Sequence, residues 1–577
     1  MIGAQASPPP PASPTQTEES EPSNLTKWSV DANHPNAHDG PEAGSEEMPF
    51  KSIGAALNRI QNLALQTDNP DLTLLQSIDV AGGVYRESLE IDMRGVDPDR
   101  LDGIVLHAKD PVIVSGADII DVWEPATDYY LTPWPHSMAP VTFPEDIEAN
   151  YARDGEPVPW LIRQREMVFL ADEKRPRAVR IPQVEPAAKI GKGTFTLFPD
   201  TGQLALLPPH NYRLRPGAVR ISNPERACLL SVKGVSRFGL TGPFEFRHAN
   251  GVLGDRPAAV DIRDVPTVRI EGITFEHNNT YGLRIEGAED VSIKKITAQR
   301  NGLGGLLITN SRRVTLERSV VRLNNWRGFE AGITPVGAIG ASFEQVDELT
   351  IERTRFLDNK CDALNVAATQ ATLDELTVVN NGGHALYVFS EDASLSDNVF
   401  ALNAASVNLR GSVSVQRCTF YDNGPERVAE NTPVSERFAQ VNLFGGGKSG
   451  EADTRSTFDL RDNIFASQNG APQLALLEWT GPDPEGESAA DALTGQRNVY
   501  FSGAAEAARF RVRDRLVDLA TWRELAQADA TSIETDPLLN APQRLDFMPH
   551  PQSPVFRKSN WPVVPLETAP GVAWESL

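Results

Sequence analysis

Residues 354–410 read TRFLDNKCDALNVAATQATLDELTVVNNGGHALYVFSEDASLSDNVFALNAASVNLR, and one pattern occurs in this stretch three times. A short run of alternating apolar residues ends at Asn359, Asn381 or Asn403, and a second alternating run follows each asparagine. The two intervals between these asparagines are both 22 residues long. Alternation with period two is typical of β-strands, and a fixed period of this length is typical of a repeat architecture.

The same asparagine occurs on both sides of this stretch, at Asn279, Asn301, Asn324 and Asn423. The spacings are 20 to 23 residues except for one of 35, whose excess lies in the insertion WRGFEAGITPVGA at 326–338. A third short strand precedes each pair, as in VRI, VSI, VTL, LTI and TLD. Asparagine tolerates the left-handed backbone of a sharp turn, and stacked asparagines can hydrogen-bond from coil to coil. An irregular β-sandwich would not keep this register, so we predict an all-β chain with a right-handed parallel β-helix.

Composition excludes several classes of protein. The chain has 577 residues, 40% of them hydrophobic, and a formal net charge of −24, which disfavours binding to nucleic acid. There is no apolar run of 18 residues, so no membrane span is predicted. The three cysteines are far apart and have no metal-ligand spacing. Residues 263–327 differ from the whole, with eleven Lys or Arg against seven Asp or Glu, which suits an anionic sugar.

The domain order follows from shifts in pattern. Residues 1–25 are a Pro/Ser/Thr-rich tail that we expect to be disordered. Residues 26–123 should form a capping helix and the first coils, 124–250 an inserted β-rich subdomain, 251–480 the central coils and 481–577 a closing segment. A disordered tail before a globular body is common in exported proteins, so we expect a periplasmic, cell-surface or secreted location, although the tail lacks the pattern of a signal peptide.

The flanking segments carry a family resemblance. The stretches PFKSI at 49–53, GGVYRE at 82–87 and VIVSGAD at 112–118 resemble the opening of pectin-lyase-like β-helix proteins. Near the end, Trp522, Asp536 and the pair Ser553–Pro554 occur in the order of the closing segment of such proteins. The strand-rich insertion resembles that of β-helical glycoside hydrolases of the family 120 and 141 type. The resemblance implies a carbohydrate-active protein that binds a polysaccharide or oligosaccharide.

Strand alternation identifies which side chains point outward from the coils. The first predicted outward column is Arg284, Leu307, Ser342, Asn365, Tyr387 and Asn408, and the second is Glu286, Thr309, Glu344, Ala367, Phe389 and Arg410. Asp362 and His384 each stand three residues after their asparagine, one coil apart, so we expect them to be neighbours. This patch is the predicted site.

The resembling hydrolases carry an Asp and, one coil later, a Glu that flank the glycosidic bond. The best-matching positions here hold Ala367 and Phe389, which cannot transfer protons. A shift of one or two residues would bring in Asp362, Glu391 or Asp392. The predicted catalytic residues are therefore Asp362, His384, Tyr387 and Glu344.

Three functions remain open at this stage. The first is glycoside hydrolysis, and the second is a lyase or epimerase reaction on a uronic-acid polymer, with His384 and Tyr387 as base and acid. The third is non-catalytic glycan binding after loss of the acid pair. The predicted substrate-binding residues lie on the columns and on the 326–338 insertion, and are Trp326, Arg327, Glu330, Asn365, Asn408, Arg410 and Arg284. No cofactor or metal is predicted, because the acidic pair Asp392 and Asp397 lacks the ligand spacing of a calcium loop.

Overall fold

The computed structural model describes most of the chain, and its two large sheets follow the repeat. The described residues are 25–66, 75–96, 101–138, 141, 160–172, 175–186, 190–210, 212–252, 258–329, 338–424, 439–444, 456–468, 475–479, 492–503, 509–512 and 515–558. Nearly the whole predicted tail, residues 1–24, lies outside them. Among the described residues, one mostly parallel sheet has 21 strands and a second parallel sheet has 13. The predicted parallel β-helix is confirmed.

Each central coil consists of one long strand and one short strand. The long strand contains two of the three predicted strands, joined through a bend. The long strands are Gly304–Glu317, Ile339–Glu352, Asp362–Asp374, His384–Ser396 and Ala405–Gln416. The short strands are Val320–Arg322, Arg355–Leu357, Thr377–Val379, Val399–Ala401 and Thr419–Tyr421.

Coils on the N-terminal side keep the two halves of the long strand separate. Their strands are Leu75–Val80, Gly83–Tyr85, Leu89–Asp92, Gly103–Ala108, Val112–Ser115, Leu230–Lys233, Arg237–Thr241, Phe244–Arg247, Ala258–Arg263, Thr267–Glu271, Thr274–Glu276, Tyr281–Glu286, Asp290–Lys294 and Thr297–Gln299. Coils on the C-terminal side include Ala439–Phe444, Thr457–Arg461, Ile464–Ser467, Ala475–Trp479, Leu493–Gln496, Val499–Ser502 and Phe510–Val512.

Both ends of the solenoid are covered. Strand Leu25–Val30 and helix Ile53–Leu65 close the first end, and the Ser52 hydroxyl caps the helix by accepting from the Ala55 amide at 3.2 Å. Strand Arg515–Val517, helix Leu519–Ala526 and the short helix Val555–Lys558 lie at the other end. The fully buried ring of Trp522 lies 5.0 Å from that of Phe510 and so ends the column of stacked core aromatics.

The inserted subdomain leaves the solenoid between its first two coils. One antiparallel sheet contains Ala117–Ile120, Val168–Asp172, Arg175–Ile181 and Val219–Ser222, and another contains Glu124–Pro125, Tyr130–Pro133, Thr194–Phe198 and Gln203–Leu207. Residues 230–233 already pair in parallel with 89–92, so the coils resume at Leu230. Within the predicted 124–250 insertion, the part from Leu230 onward therefore belongs to the solenoid.

The asparagine ladder is present, with one member shifted by a residue. Its members are Asn278, Asn301, Asn324, Asn359, Asn381, Asn403 and Asn423, and each of the first six donates from its backbone and side-chain nitrogens to the next side-chain oxygen. The sequence prediction placed Asn279 in the ladder; its side chain instead donates to the Gly251 carbonyl oxygen at 2.8 Å.

The predicted backbone role of the ladder asparagines is also wrong. The left-handed conformation belongs to the residue before each ladder asparagine, at His277, Arg300, Leu323, Asp358, Asn380, Leu402 and Asp422. The preceding residue makes the turn, and this leaves the asparagine side chain pointing into the coil, where its amide group bridges three coils. The hydrogen-bonding capacity of asparagine therefore explains its place in the repeat.

Candidate functional site

The strand register agrees with the two predicted outward columns. Pairing joins Arg284, Leu307, Ser342, Asn365, Tyr387 and Asn408 in one row, and Glu286, Thr309, Glu344, Ala367, Phe389 and Arg410 in the other. The positions that alternate with these columns along the strands, such as Leu364 and Val388, are predicted by the same pattern to point inward and are buried in the core. The two rows lie two residues apart along the strands, so together they form one continuous outer face.

Asp362, His384, Tyr387 and Asn408 do meet on this face. The His384 amide donates to a carboxylate oxygen of Asp362 at 2.7 Å, and the rings of His384 and Tyr387 are 4.6 Å apart. The Asn408 side-chain nitrogen lies 2.9 Å from Nδ1 of His384. Asn442, which the sequence analysis did not single out, donates to the Asn408 side-chain oxygen at 2.7 Å. These contacts form a polar cluster at the start of the long strands, which we call the histidine cluster.

Burial sets the protonation states in the histidine cluster. Desolvation lowers the pKa of His384 and raises the pKa of Asp362, so both groups are shifted toward their neutral forms. Desolvation also raises the pKa of Tyr387 to about 12, so its hydroxyl keeps its proton at neutral pH. Nδ1 of His384 also lies 3.3 Å from the Ser406 carbonyl oxygen. Nδ1 donates to this oxygen in one tautomer and accepts from the Asn408 nitrogen in the other, so Nε2 can accept a proton only in the first.

Glu344 lies apart from the histidine cluster. Its carboxylate accepts from the Ser342 hydroxyl at 2.7 Å, and that hydroxyl accepts from the Asn365 amide at 3.0 Å. Glu344 pairs with Ala367, which is five residues beyond Asp362 on the same strand. At about 3.3 Å per residue the two Cα atoms are about 17 Å apart, too far for Glu344 and Asp362 to flank one glycosidic bond.

Trp326 and Arg327 contact the inserted subdomain, away from the outer face. Arg327 is 3% exposed, and its guanidinium donates to the Leu161 carbonyl oxygen at 2.8 Å and to the Asn279 side chain. Burial lowers the pKa of Arg327 to about 9. The guanidinium of Arg180, on the subdomain, lies 3.8 Å from the Trp326 ring centroid. The prediction that these two side chains bind substrate is not compatible with this packing, and Glu330 lies outside the described residues.

The predicted positive stretch is largely neutralised by pairing. Arg284 forms an ion pair with Glu286 at 2.5 Å and lies four coils from Tyr387. Seven of the eleven basic residues in 263–327 make such pairs, namely Arg263, Arg269, Arg284, Lys294, Lys295, Arg300 and Arg318. The excess of basic residues therefore gives little support for binding of an anionic sugar.

A groove lies at the bend of the long strands, and Arg410 is the one predicted site residue that lines it. This bend groove has a volume of 850 Å³ and is lined by three residues from each of four successive strands, at 345–347, 367–369, 389–391 and 410–412. Phe389 is 54% exposed within it, and the Arg410 guanidinium lies 4.8 Å from the ring centroid. A half-exposed ring with a cation on one side offers a flat apolar surface on the other.

Two bulges shape the bend groove. Gln345 is an extra residue of strand Ile339–Glu352 relative to strand Asp362–Asp374. Glu391 is an extra residue of strand His384–Ser396 relative to strand Ala405–Gln416. A bulge breaks the alternation of side chains and re-aims the residues beyond it. Strict alternation therefore predicts the outward side chains wrongly beyond Glu344 and beyond Glu391. In the sequence, the bend groove could have been found from the polar runs EQVDE, ATQ and SED, which lie in register on three coils.

Comparisons with known proteins fit this fold. A sequence model of the family described as periplasmic copper-binding protein (NosD) matches residues 240–429, about a third of the chain. The structure of XylC with xylose is similar at a TM-score of 0.56 and 12% identity, over 89% of this chain and 87% of that one. At this identity the likeness shows a shared fold. No curated protein sequence gives a significant match.

Two further solved structures resemble the chain more weakly. A glycoside hydrolase aligns at a TM-score of 0.46 and 13% identity, over 87% of this chain and 99% of that one. The pectate lyase Pel9A aligns at a TM-score of 0.33 and 12% identity, over 84% and 82%.

The described residues do not fit the copper in the family description. Among them, no three His, Cys, Asp or Glu side chains are grouped so as to hold a metal ion. Cys228, Cys361 and Cys418 are all buried as free thiols, and desolvation raises the pKa of Cys361 and Cys418. Within the same described ranges, no helix is both long and apolar enough to span a membrane.

Proposed function

We propose that this protein binds a carbohydrate polymer along the outer face of its central coils and cleaves its glycosidic bonds. The observation that carries the proposal is the bend groove, which crosses four coils and contains the exposed ring of Phe389 beside Arg410. A groove across parallel strands accommodates an extended chain, and an aromatic face packs against the apolar face of a sugar ring. The shared fold with the XylC structure, which contains xylose, supports the same class of ligand.

The location that we propose is outside the cytoplasm. The matched family is described as periplasmic, and a polysaccharide ligand is met at or beyond the cell envelope. Fractionation of cells that express the natural gene tests this, and recovery of the full-length protein in the cytoplasm alone would contradict it.

A second candidate function is β-elimination on a uronic-acid polymer. The histidine cluster supports it, because burial keeps His384 neutral and able to accept a proton, while Tyr387 stays protonated and able to donate one. Asn365 and Asn408 could donate to the sugar carboxylate. The basic residues are mostly paired with carboxylates, however, and Asp362 lies within the cluster, so this candidate ranks second.

One assay separates these functions. The protein is incubated with neutral and uronic polysaccharides while reducing ends and absorbance near 235 nm are followed. Reducing ends without absorbance indicate hydrolysis, and both together indicate β-elimination. Binding of a polymer without either signal supports the third function, a non-catalytic glycan-binding protein. Absence of binding to every polymer contradicts the proposal as a whole.

The groove is tested by truncating Phe389. Half of the ring surface is available to a sugar, and loss of that contact should weaken binding by about 1.4 kcal/mol, or about tenfold in Kd. Leu538→Ala is the control, because Leu538 is an exposed apolar side chain at 42% exposure near the C-terminal end. Equal affinities for Phe389→Ala, Leu538→Ala and the unmodified protein would remove the groove from the proposal.

A further inference from the structure

The bend groove contains two carboxylates, of which the sequence analysis named only Glu391, as a residue that a shifted family alignment would bring in. Asp347 and Glu391 both line it, and both are exposed. Neither carboxylate makes an ion pair or a hydrogen bond with any other residue in the described part of the chain. Both side chains are therefore available to a ligand in a groove that also holds an aromatic surface.

The register fixes the spacing of these two carboxylates. Val346 and Glu348 pair with Ala368 and Gln370, which in turn pair with Ser390 and Asp392. Asp347, Thr369 and Glu391 therefore stand in one row on three successive strands. Two interstrand spacings of about 4.8 Å place the Cα atoms of Asp347 and Glu391 about 9.6 Å apart. Where the two side chains run parallel, their carboxyl groups are separated by about the same distance, which is close to the range of about 6.5 to 9.5 Å in inverting glycosidases and well above the about 5 to 5.5 Å of retaining ones.

The groove between them has room for the reacting groups. Thr369 separates the two carboxylates with a short side chain, and Ala367 lies beside it on the same strand. Phe389 is two residues before Glu391, so a sugar stacked on the ring lies next to that carboxyl group. Glu391 follows the alternation outward from Phe389, and as the extra residue of the bulge it has no paired residue on the next strand.

We propose that Asp347 and Glu391 are the acid and base pair of an inverting glycoside hydrolase. Glu391 donates a proton to the glycosidic oxygen as the bond from that oxygen to the anomeric carbon breaks. Asp347 takes a proton from a water molecule whose oxygen forms the new bond to the anomeric carbon from the opposite face. One water is consumed, each product ends in a hydroxyl group, and the anomeric configuration inverts. This inference rests on the proposed function and deepens it.

The test uses a polymer or oligosaccharide that the full-length protein cleaves. Asp347→Asn and Glu391→Gln should each lower kcat by about 10²-fold or more, since general acid and base catalysis contributes about 10² to 10⁴. The Kd for the same ligand should change less than about threefold. The matched controls are Glu348→Gln and Asp392→Asn, which alter the adjacent row of exposed carboxylates on the same two strands, outside the groove. Both controls should keep kcat within about twofold.

Two further readouts separate chemistry from a structural effect. Proton NMR at early times should show the product anomer opposite in configuration to the substrate. Azide, a small anion that replaces the attacking water, should restore turnover to Asp347→Ala and not to Glu391→Ala. A retained configuration, or full activity in either Asn or Gln variant, overturns this inference while cleavage itself upholds the proposed function. Failure to bind any carbohydrate overturns both.

Discussion

Replacing Asn359 by alanine removes one member of the asparagine ladder in the middle of the solenoid. The Asn359 side chain takes part in four hydrogen bonds and is 1% exposed. Its oxygen accepts from the backbone and side-chain nitrogens of Asn324 at 3.1 and 2.9 Å. Its nitrogen donates to the Val321 carbonyl oxygen at 3.2 Å and to the Asn381 side chain at 2.9 Å. Alanine supplies none of these groups.

The expected loss follows from those four bonds. Each buried hydrogen bond contributes about 0.5 to 1.5 kcal/mol net, so the four together stabilise the coils by about 4 kcal/mol. The Asn324 side chain still donates to the Ala298 carbonyl oxygen, and the Asn381 oxygen still accepts from the residue 359 backbone. The groups that lose their partner are the backbone N–H of Asn324 and the carbonyl oxygen of Val321.

Amide hydrogen exchange in the neighbouring coils measures this loss locally, because a solenoid opens in parts. A loss of about 4 kcal/mol should speed exchange in the flanking strands by about 10³-fold. The increase is smaller where exchange already occurs through global unfolding. The control is Asn380→Ala, an exposed asparagine whose side chain donates to Asp358 at 2.6 Å. The main cost of this control is its left-handed backbone, which alanine tolerates less well than asparagine, and it should amount to about 1 kcal/mol. Equal exchange in the two variants would refute the account of the ladder.

Two more predictions concern residues that the sequence analysis placed in the site. Arg327→Met should weaken the docking of the inserted subdomain by about 2 to 4 kcal/mol, because the Leu161 carbonyl and the Asn279 side chain lose their donor. The control is Arg284→Met, which breaks a partly exposed ion pair and should cost less than about 1 kcal/mol. Hydrogen exchange at residues 160–170 should become faster in Arg327→Met than in Arg284→Met, and equal exchange in the two variants would contradict the docking role. Since the folded-state pKa of His384 lies below its ordinary value of about 6.5, the stability that the neutral ring contributes is present above that pH and falls as the pH drops through the lower folded value. The advantage in Tm of the unmodified protein over His384→Gln should therefore shrink on acidification, and an advantage that grows would contradict this sign.

The fold was predictable because its determinants repeat. Asn359, Asn381 and Asn403 mark equivalent points of successive coils, and a single misplaced member, Asn279 for Asn278, does not alter the register of the others. Leu364 and Val388 are buried as predicted, because a strand buried on one side exposes alternate residues. The repeat thus predicts all positions that follow regular strand geometry.

The bend groove was not predictable by the same reasoning, because it depends on departures from the repeat. Extending the alternation from Phe389 gives Glu391 as outward. Strand Ala405–Gln416, however, has no residue opposite Glu391, because Ser390 pairs with Gly411 and Asp392 pairs with Ser412. An extra residue of this kind appears in sequence only as a change of length between coils. The insertion at 326–338 conceals the one at Gln345, and the one at Glu391 is part of the change from 22 residues between Asn381 and Asn403 to 20 between Asn403 and Asn423. Trp326 and Arg327 were misplaced for a related reason, since their partners Arg180 and Leu161 are about 150 residues away in the inserted subdomain. Binding surfaces on a solenoid are built where coils differ, so a site found from the repeat alone will be biased toward the regular face.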